Sequence, residues 1–252
     1  MGGCLILPQT LIMNLVKKLI GIAQPKDFKE KLQLRDMHVR RSYSQCGEDL
    51  IVDYIFRLRG ITCPSYIDIG ANHPYFISNT AMLYEKGSRG INIEANPQLL
   101  PAFKTYRPED INLNVGISDR EGELEFYIMD DNTLSTFSRV ERDYMVGNGK
   151  NLARAEKVKL TTISAILAKY FNSAFPDFLS LDVEGMDFDI LKSINFEKSI
   201  PKVICVEAAE YSPIGAGKRR TELIDFLEAK GFYEYANTNL NAIMVQRNFW
   251  FI

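Results

Sequence analysis

A mostly parallel α/β sheet covered by helices on both faces is the fold class this sequence predicts, on three observations. Short apolar, β-branched runs recur at Tyr66 to Ile69, Gly90 to Glu94, Ile111 to Ile117, Phe178 to Asp182 and Val203 to Glu207, with helical patterns between them. Such runs are apolar on both faces, as strands buried between two layers of helices must be. The 252 residues are 46% hydrophobic and 25% charged, enough for one substantial core and unlike a disordered chain.

The elements follow in order. Leu11, Ile12, Leu15, Val16, Leu19 and Ile20 recur at the spacing of an amphipathic helix, so residues 1–41 are set apart as an N-terminal helical extension. That stripe is expected to pack on the domain or on a second subunit, with contact at a membrane surface as the alternative. Lys17 and Lys18 interrupt the apolar stretch from Leu5 to Ile22, which argues against a targeting signal. The domain proper is expected over 42–252. Gly47 to Arg59 opens with acidic residues and closes with basic ones, the polarity that complements a helix dipole.

An insertion is expected at about 122–160, between the third and fourth runs, with strands at Glu123 to Met129 and Lys157 to Leu160 and a helix at Ser138 to Met145. Its centre around Gly147-Asn148-Gly149 has the composition of a mobile segment. The chain closes with a helix at Arg219 to Lys230, a stop at Gly231, and strands at Phe232 to Ala236 and Ala242 to Gln246. The turn Asn237-Thr238-Asn239 is too short for a parallel crossover, so that last pair runs antiparallel. The result is a seven-stranded sheet with one reversed strand, expected at its end.

Net charge is -2 with the basic residues dispersed, so nucleic acid is not an expected partner. Cys4, Cys46, Cys63 and Cys205 lack the paired spacing of a zinc site and are expected as free thiols of a cytoplasmic protein.

Open α/β sheets bind ligands at the carboxyl ends of their strands. The first strand ends in Asp68-Ile69-Gly70-Ala71-Asn72, a turn with one glycine and one carboxylate. A dinucleotide site would need more glycines and a P-loop would need Gly-Lys-Ser/Thr. Asp68 suits a cationic group such as the ammonium or sulfonium of S-adenosylmethionine. Glu94, ending the second strand, is placed to accept ribose hydroxyls.

Five motifs extend this picture: Ser44-Gln45-Cys46-Gly47-Glu48-Asp49, Tyr66 to Asn72, Gly90 to Pro97, Leu113 to Ser118, and Phe178 to Gly185. In this order, over about Ser42 to Gln246, the chain resembles the FkbM-type methyltransferases. The resemblance implies a Rossmann-like class I methyltransferase fold that uses S-adenosylmethionine, usually for O-methylation of a sugar or secondary metabolite. It further implies that Asp68, Gly70 and Asn72, with Ala71 in the same turn, hold the methionine end, Glu94 the ribose, and Ser118 with its neighbours the adenine. Gln45, Glu48 and Asp49 are candidates to close the methionine side, with helix capping as the alternative role.

Methyl transfer requires alignment of the acceptor and removal of its proton. His73, directly after the cofactor turn, is the first candidate base, or a brace for its own turn. Asp182 and Glu184, after the fourth strand, are the others. Asp182 and Glu207 sit at adjacent strand ends, and two facing carboxylates need a shared proton or a cation, for which Mg²⁺ is a candidate. Leu134-Ser135-Thr136-Phe137 and the segment Tyr211 to Arg220 are expected to select the substrate. The acceptor is expected to be a small molecule or glycan, and a homo-oligomer remains open. Two rival readings stand beside the enzyme: a module of the same fold that binds a cofactor or partner without turnover, and an NAD-type oxidoreductase, which the missing glycines disfavour.

Overall fold

The computed structural model describes residues 39–183, 185–210, 212 and 217–251. The chain divides into two compact units, Met1–Arg41 and Ser42–Ile252. The N-terminal amphipathic stripe and Glu184 lie outside the described residues.

The second unit begins with α1 (Glu48–Leu58), followed by β1 (Tyr66–Ile69), α2 (Ala81–Glu85), β2 (Gly90–Ile93), α3 (Leu100–Tyr106) and β3 (Ile111–Leu113). After an insertion come α5 (Ile163–Tyr170), β7 (Phe178–Leu181), α6 (Asp187–Ser193), β8 (Val203–Glu207), α7 (Thr221–Ala229), β9 (Phe232–Asn237), β10 (Asn241–Gln246) and α8 (Arg247–Trp250). The main sheet has seven strands in the order β3-β2-β1-β7-β8-β10-β9. The order turns back on either side of β1, between β2 and β7, the crevice where such sheets bind ligands.

Strand β10 pairs antiparallel with both β8 and β9. The reversed strand therefore lies one place in from the edge rather than at the end, because β9 crosses over through α7 before β10 folds back between it and β8.

The alternation of the strands sorts their side chains between two cores. Ile67, Ile69, Leu179, Leu181 and Ile204 face one, with Ile190 of α6 and Leu223 of α7. Tyr66, Phe178, Val203 and Cys205 face the other, with Val52, Ile55 and Phe56 of α1. All four residues of β1 and of β7 are buried, as expected of strands covered on both faces.

The run Ile111 to Ile117 is not one strand. Asn114 turns its side-chain amide onto the carbonyls of Glu94 and Ala95, at 2.8 and 2.9 Å, and capping β2 in this way ends β3. Gly116 and Ile117 then form β4 (Gly116–Ile117) of a second sheet, ordered β4-β6-β5, with β5 at Gly122–Met129 and β6 at Leu152–Thr161. Strand β6 is ten residues long, extending well before the expected Lys157, because it pairs with the whole of β5.

The insertion's helix α4 (Arg139–Gly147) starts on Ser138, whose hydroxyl accepts from the Glu141 N–H. The Gly147 to Gly149 stretch is a hydrogen-bonded helix end: Asn148, Gly149 and Lys150 donate back to Tyr144, Val146 and Met145. The short helix α8 was not signalled by the sequence, since four residues carry too little periodicity.

Candidate active site

The turn after β1 fits because of its single glycine. Gly70 has φ +78°, and a Cβ on it would lie 1.7 Å from the Asp182 carbonyl oxygen. No other residue type allows β1 and β7 to close so tightly at their ends. The Gly70 and Ala71 N–H groups both donate to the Ile93 carbonyl, at 3.0 and 3.1 Å, fastening the turn to β2.

Asn72 follows with φ +50°, a left-handed conformation that asparagine tolerates better than most residues. Its N–H donates to Glu94 Oε2 at 2.8 Å, and the Asn96 N–H donates to Glu94 Oε1 at 2.6 Å. Each carboxylate oxygen keeps acceptor capacity toward the cavity that Glu94 lines. Burial raises the Glu94 pKa to about 7, against the backbone N–H groups of Asn96, Asn72 and Ala95 that favour its charge.

That cavity has a volume of about 290 Å³ at the carboxyl ends of the strands. Ile93, Ala95, Val115, Ile117, Phe126 and Phe137 give it an apolar wall, and Asp182, Glu207, Glu210 and Asn241 give it an acidic and polar one. Phe126 and Phe137 pack with centroids 4.6 Å apart. Gly116 makes their approach feasible, since a Cβ there would meet the Phe137 ring at 2.5 Å. Fixed carboxylate oxygens beside an apolar slot are what a nucleoside requires: hydroxyls on one edge and a flat base.

Gln45 also lines the cavity, and the acidic pair after it holds it there. Asp49 gathers its own approach segment, accepting from the Ser42 and Ser44 hydroxyls and the Tyr43 N–H at 2.7 to 2.9 Å. Glu48 accepts from Thr238 Oγ1 and Asn241 Nδ2, at 2.7 and 2.9 Å, tying α1 to the β9–β10 turn. Neither carboxylate lines the cavity; their part is to place Gln45 and Asn241.

Asp68 does not face the cavity either. Strand alternation puts it on the same side as Tyr66, beneath the turn, where it is 4% exposed and accepts from Thr80 Oγ1 at 2.6 Å. Thr80 in turn accepts from Arg107 at 3.0 Å. The wholly buried Arg107 also donates to Asp110 and to the Tyr66 hydroxyl, at 2.9 and 2.7 Å. Burial raises the Asp68 pKa while Thr80 and Arg107 hold it down. Ala71 is buried and does not line the cavity, and Ser118 lies past the cavity's apolar wall, its hydroxyl on Asp119 at 3.0 Å. The neighbours of Ser118, Gly116 and Ile117, are the ones at the wall.

His73 braces its own turn. Nδ1 accepts from the Tyr75 and Phe76 N–H groups at 3.1 and 2.9 Å, so the neutral ring carries its proton on Nε2 and has no free basic nitrogen. Burial lowers its pKa further, and the ring lines an outer groove instead of the cavity.

Asp182 and Glu207 do line the same cavity, one residue beyond the paired Leu181 and Val206. The cation beside them is a guanidinium. Arg220 Nη1 lies 3.7 Å from Glu207 Oε2 and 3.4 Å from Asp187 Oδ2. Among the described residues there is no group of three or more His, Cys, Asp or Glu suited to a metal. With Arg220 already the counter-charge to Glu207, and acting on Asp182 as well, this pair does not call for the Mg²⁺ expected of it. Burial raises the Asp182 pKa well above the usual carboxylate range, Asp187 and Asp68 add to it, and Arg220 opposes it.

Several site residues escaped the sequence. Arg107 reads as an ordinary charged residue, and Arg220 only as the end of the segment Tyr211 to Arg220, because only the fold buries them. Asn132 and Thr133 line the cavity beside the expected Leu134, Ser135 and Phe137, whereas Thr136 turns away to pair with Tyr127. Ile77, also lining it, has φ +53°, an outlier for a β-branched residue. No pattern announces it. Ser212 and Gly217 represent the segment Tyr211 to Arg220 at the cavity.

A seven-stranded sheet with the crevice at β1 and one reversed strand, carrying a cavity with an apolar wall and an acidic end, defines the class I methyltransferase architecture. The chain belongs to the FkbM methyltransferase family: the family model of the methyltransferase FkbM domain matches residues 68–233. Among solved structures, the chain is similar to a TehB-like SAM-dependent methyltransferase from Corynebacterium glutamicum, at 11% identity and TM-score 0.42, covering 88% of this chain and 96% of that one. It is also similar to an O-methyltransferase from Bacillus cereus in complex with SAH, at 12% identity and TM-score 0.38, over 93% and 95% of the two chains. A third is the 1,6-didemethyltoxoflavin-N1-methyltransferase of Burkholderia thailandensis, at 13% and 0.36, over 89% of each. No curated protein matches the sequence.

Proposed function

We propose that this methyltransferase uses S-adenosylmethionine to methylate a hydroxyl of a sugar, glycan or small metabolite, with Asp182 taking the hydroxyl proton. The observation that carries this reading is Asp182 itself. It is a carboxylate on the cavity wall whose pKa is raised by burial and by Asp187 and Asp68, so it is basic enough to accept a proton near neutral pH. A hydroxyl, unlike a neutral amine, must give up its proton as it attacks, so a base on the wall suits an oxygen acceptor.

When bound, the cofactor supplies a methyl group already activated by its sulfonium. The chain's own residues do the rest. Glu94 accepts from the ribose hydroxyls, and the wall of Phe137, Ile117 and Val115 receives the adenine. Gln45 and Asn72 flank the methionine end, while Asp68 secures the turn from beneath. Glu207 and Glu210 are placed to orient acceptor hydroxyls, with Arg220 and Asp187 keeping the acidic wall in place. Glu184 remains a second candidate base.

The test is release of S-adenosylhomocysteine with sugar nucleotides, glycans and phenolic metabolites as acceptors. The proposal expects turnover with at least one hydroxyl acceptor and its loss in Asp182→Asn with cofactor binding intact. Turnover confined to amines, or an Asp182→Asn variant as fast as wild type, would overturn it. Tight cofactor binding without turnover on any acceptor would favour the non-catalytic module. Among the described residues no helix is long and apolar enough to cross a membrane.

A further inference from the structure

A second concavity, of about 600 Å³, adjoins the active-site cavity and shares Asn72, Asn132 and Thr133 with it. A ligand reaching out of the cavity past Asn72 therefore enters this groove. Phe76 lines it and lies open to solvent at 63% exposure. The His73 ring stands edge-on to Phe76, with centroids 6.4 Å apart and planes at 84°, so it fixes the phenyl ring without covering it. With His73 Nδ1 accepting two backbone N–H groups, Nε2 is the ring's donor.

Asp130, Asp131, Lys150 and Asn151 line the same groove. Lys150 Nζ lies 4.0 Å from Asp131, and the Asp130 N–H donates to the Asn151 carbonyl at 3.0 Å, clasping the end of β5 to the start of β6. Two carboxylates against one ammonium leave the rim negative, which repels phosphate, sulfate and uronate groups. One flat apolar face in a groove that also offers carboxylate, amide and ammonium groups matches a pyranose, with its C–H face and its equatorial hydroxyls.

We propose that this groove binds a neutral saccharide, the part of a glycan acceptor beyond the reacting hydroxyl, with Phe76 as its stacking platform. The proposal rests on the hydroxyl-methylating reading above and narrows its acceptor to glycans.

The experiment is saturation-transfer NMR on the full chain, with and without S-adenosylhomocysteine. Maltotriose, mannotriose, galactotriose and chitotriose serve as neutral probes, and trigalacturonate as the anionic one. At least one neutral trisaccharide is expected to bind, at least about ten-fold more weakly in Phe76→Ala and near wild-type strength in Phe76→Tyr. Thermal melting of both variants separates loss of the platform from loss of fold. The proposal is overturned if no neutral trisaccharide binds, if trigalacturonate is preferred, or if Phe76→Ala binds as well as wild type. Binding of S-adenosylhomocysteine without any saccharide would remove the groove and leave the methyltransferase reading standing. Saccharide binding lost in Phe76→Ala, with no uptake of S-adenosylhomocysteine, would do the reverse.

Discussion

Gly70 and Asp182 meet backbone to backbone at the mouth of the sheet, with no room for even a methyl group between them. That contact sets the spacing of the two strand ends that frame the cavity, the turn on one side and the acidic wall on the other. Gly70→Ala must both adopt φ +78° and displace the Asp182 carbonyl. The expected cost is about 4 kcal/mol, which for a domain of this size lowers Tm by about 8 to 16 °C. Thermal melting gives the stability, and calorimetric titration with S-adenosylhomocysteine should show binding weakened at least about ten-fold.

Glu94 gives a pH prediction. Its folded pKa of about 7 lies above the usual value of 4.5, so the fold prefers the protonated acid. Its contribution to stability is full below pH 4.5 and is lost as pH rises through 7, by about 3 kcal/mol in all. Ribose hydroxyls donate best to the ionised form, so affinity for S-adenosylhomocysteine should rise between pH 6 and 8. Glu94→Ala should abolish that rise and weaken binding about 10- to 100-fold. An affinity flat with pH in the wild type would contradict the assignment.

Asp182→Asn removes the proposed base and keeps the side chain's volume. Turnover at saturating cofactor should fall about 10²- to 10⁴-fold, with the cofactor dissociation constant within a few-fold of wild type. In the wild type, kcat should rise with pH along a limb set above the ordinary carboxylate range, in the direction of the Asp182 shift.

Arg220 is the cation beside Glu207 and Asp187. Removing it leaves carboxylates facing one another in a buried wall, and Arg220→Ala should lose about 3 kcal/mol of stability as well as turnover. Since a guanidinium fills the role for which a metal was a candidate, activity should be unchanged after exhaustive chelation. A loss restored by Mg²⁺ would overturn this account.

Thr80 carries the connection from Arg107 to Asp68. Thr80→Val is nearly isosteric yet leaves both buried partners short of a hydrogen bond, at an expected cost of about 1 to 3 kcal/mol. If Asp68 works from beneath the turn, as its position indicates, the variant's melting temperature should fall more than its cofactor affinity. Denaturant melts and ligand titration on the same preparation provide the comparison.

Much of this molecule was legible in one dimension. Four of the five strand runs, the reversal at Asn237 to Asn239, the turn Asp68 to Asn72 and the acid at Glu94 follow from local pattern, because periodicity, turn chemistry and an acid at a strand end are written in neighbouring residues; the run Ile111 to Ile117, split between two sheets, does not. His73 was legible only in part: its place after the turn was plain, but which nitrogen the turn itself would use was not.

What the tertiary structure alone decided concerns direction and partnership. Whether Asp68 reaches the cavity depends on which face of β1 it shares, and it shares Tyr66's. Whether Asp182 and Glu207 meet a metal or a guanidinium depends on Arg220, thirteen residues past Glu207 and returned to it by the backbone pairing of Arg220 with Ala208. Sequence specifies which residues can carry charge, bend or bury. Long-range packing chooses the partners that make one carboxylate a brace, another a ribose acceptor and a third a base, because burial and neighbouring charge are properties of the folded site and not of the residue.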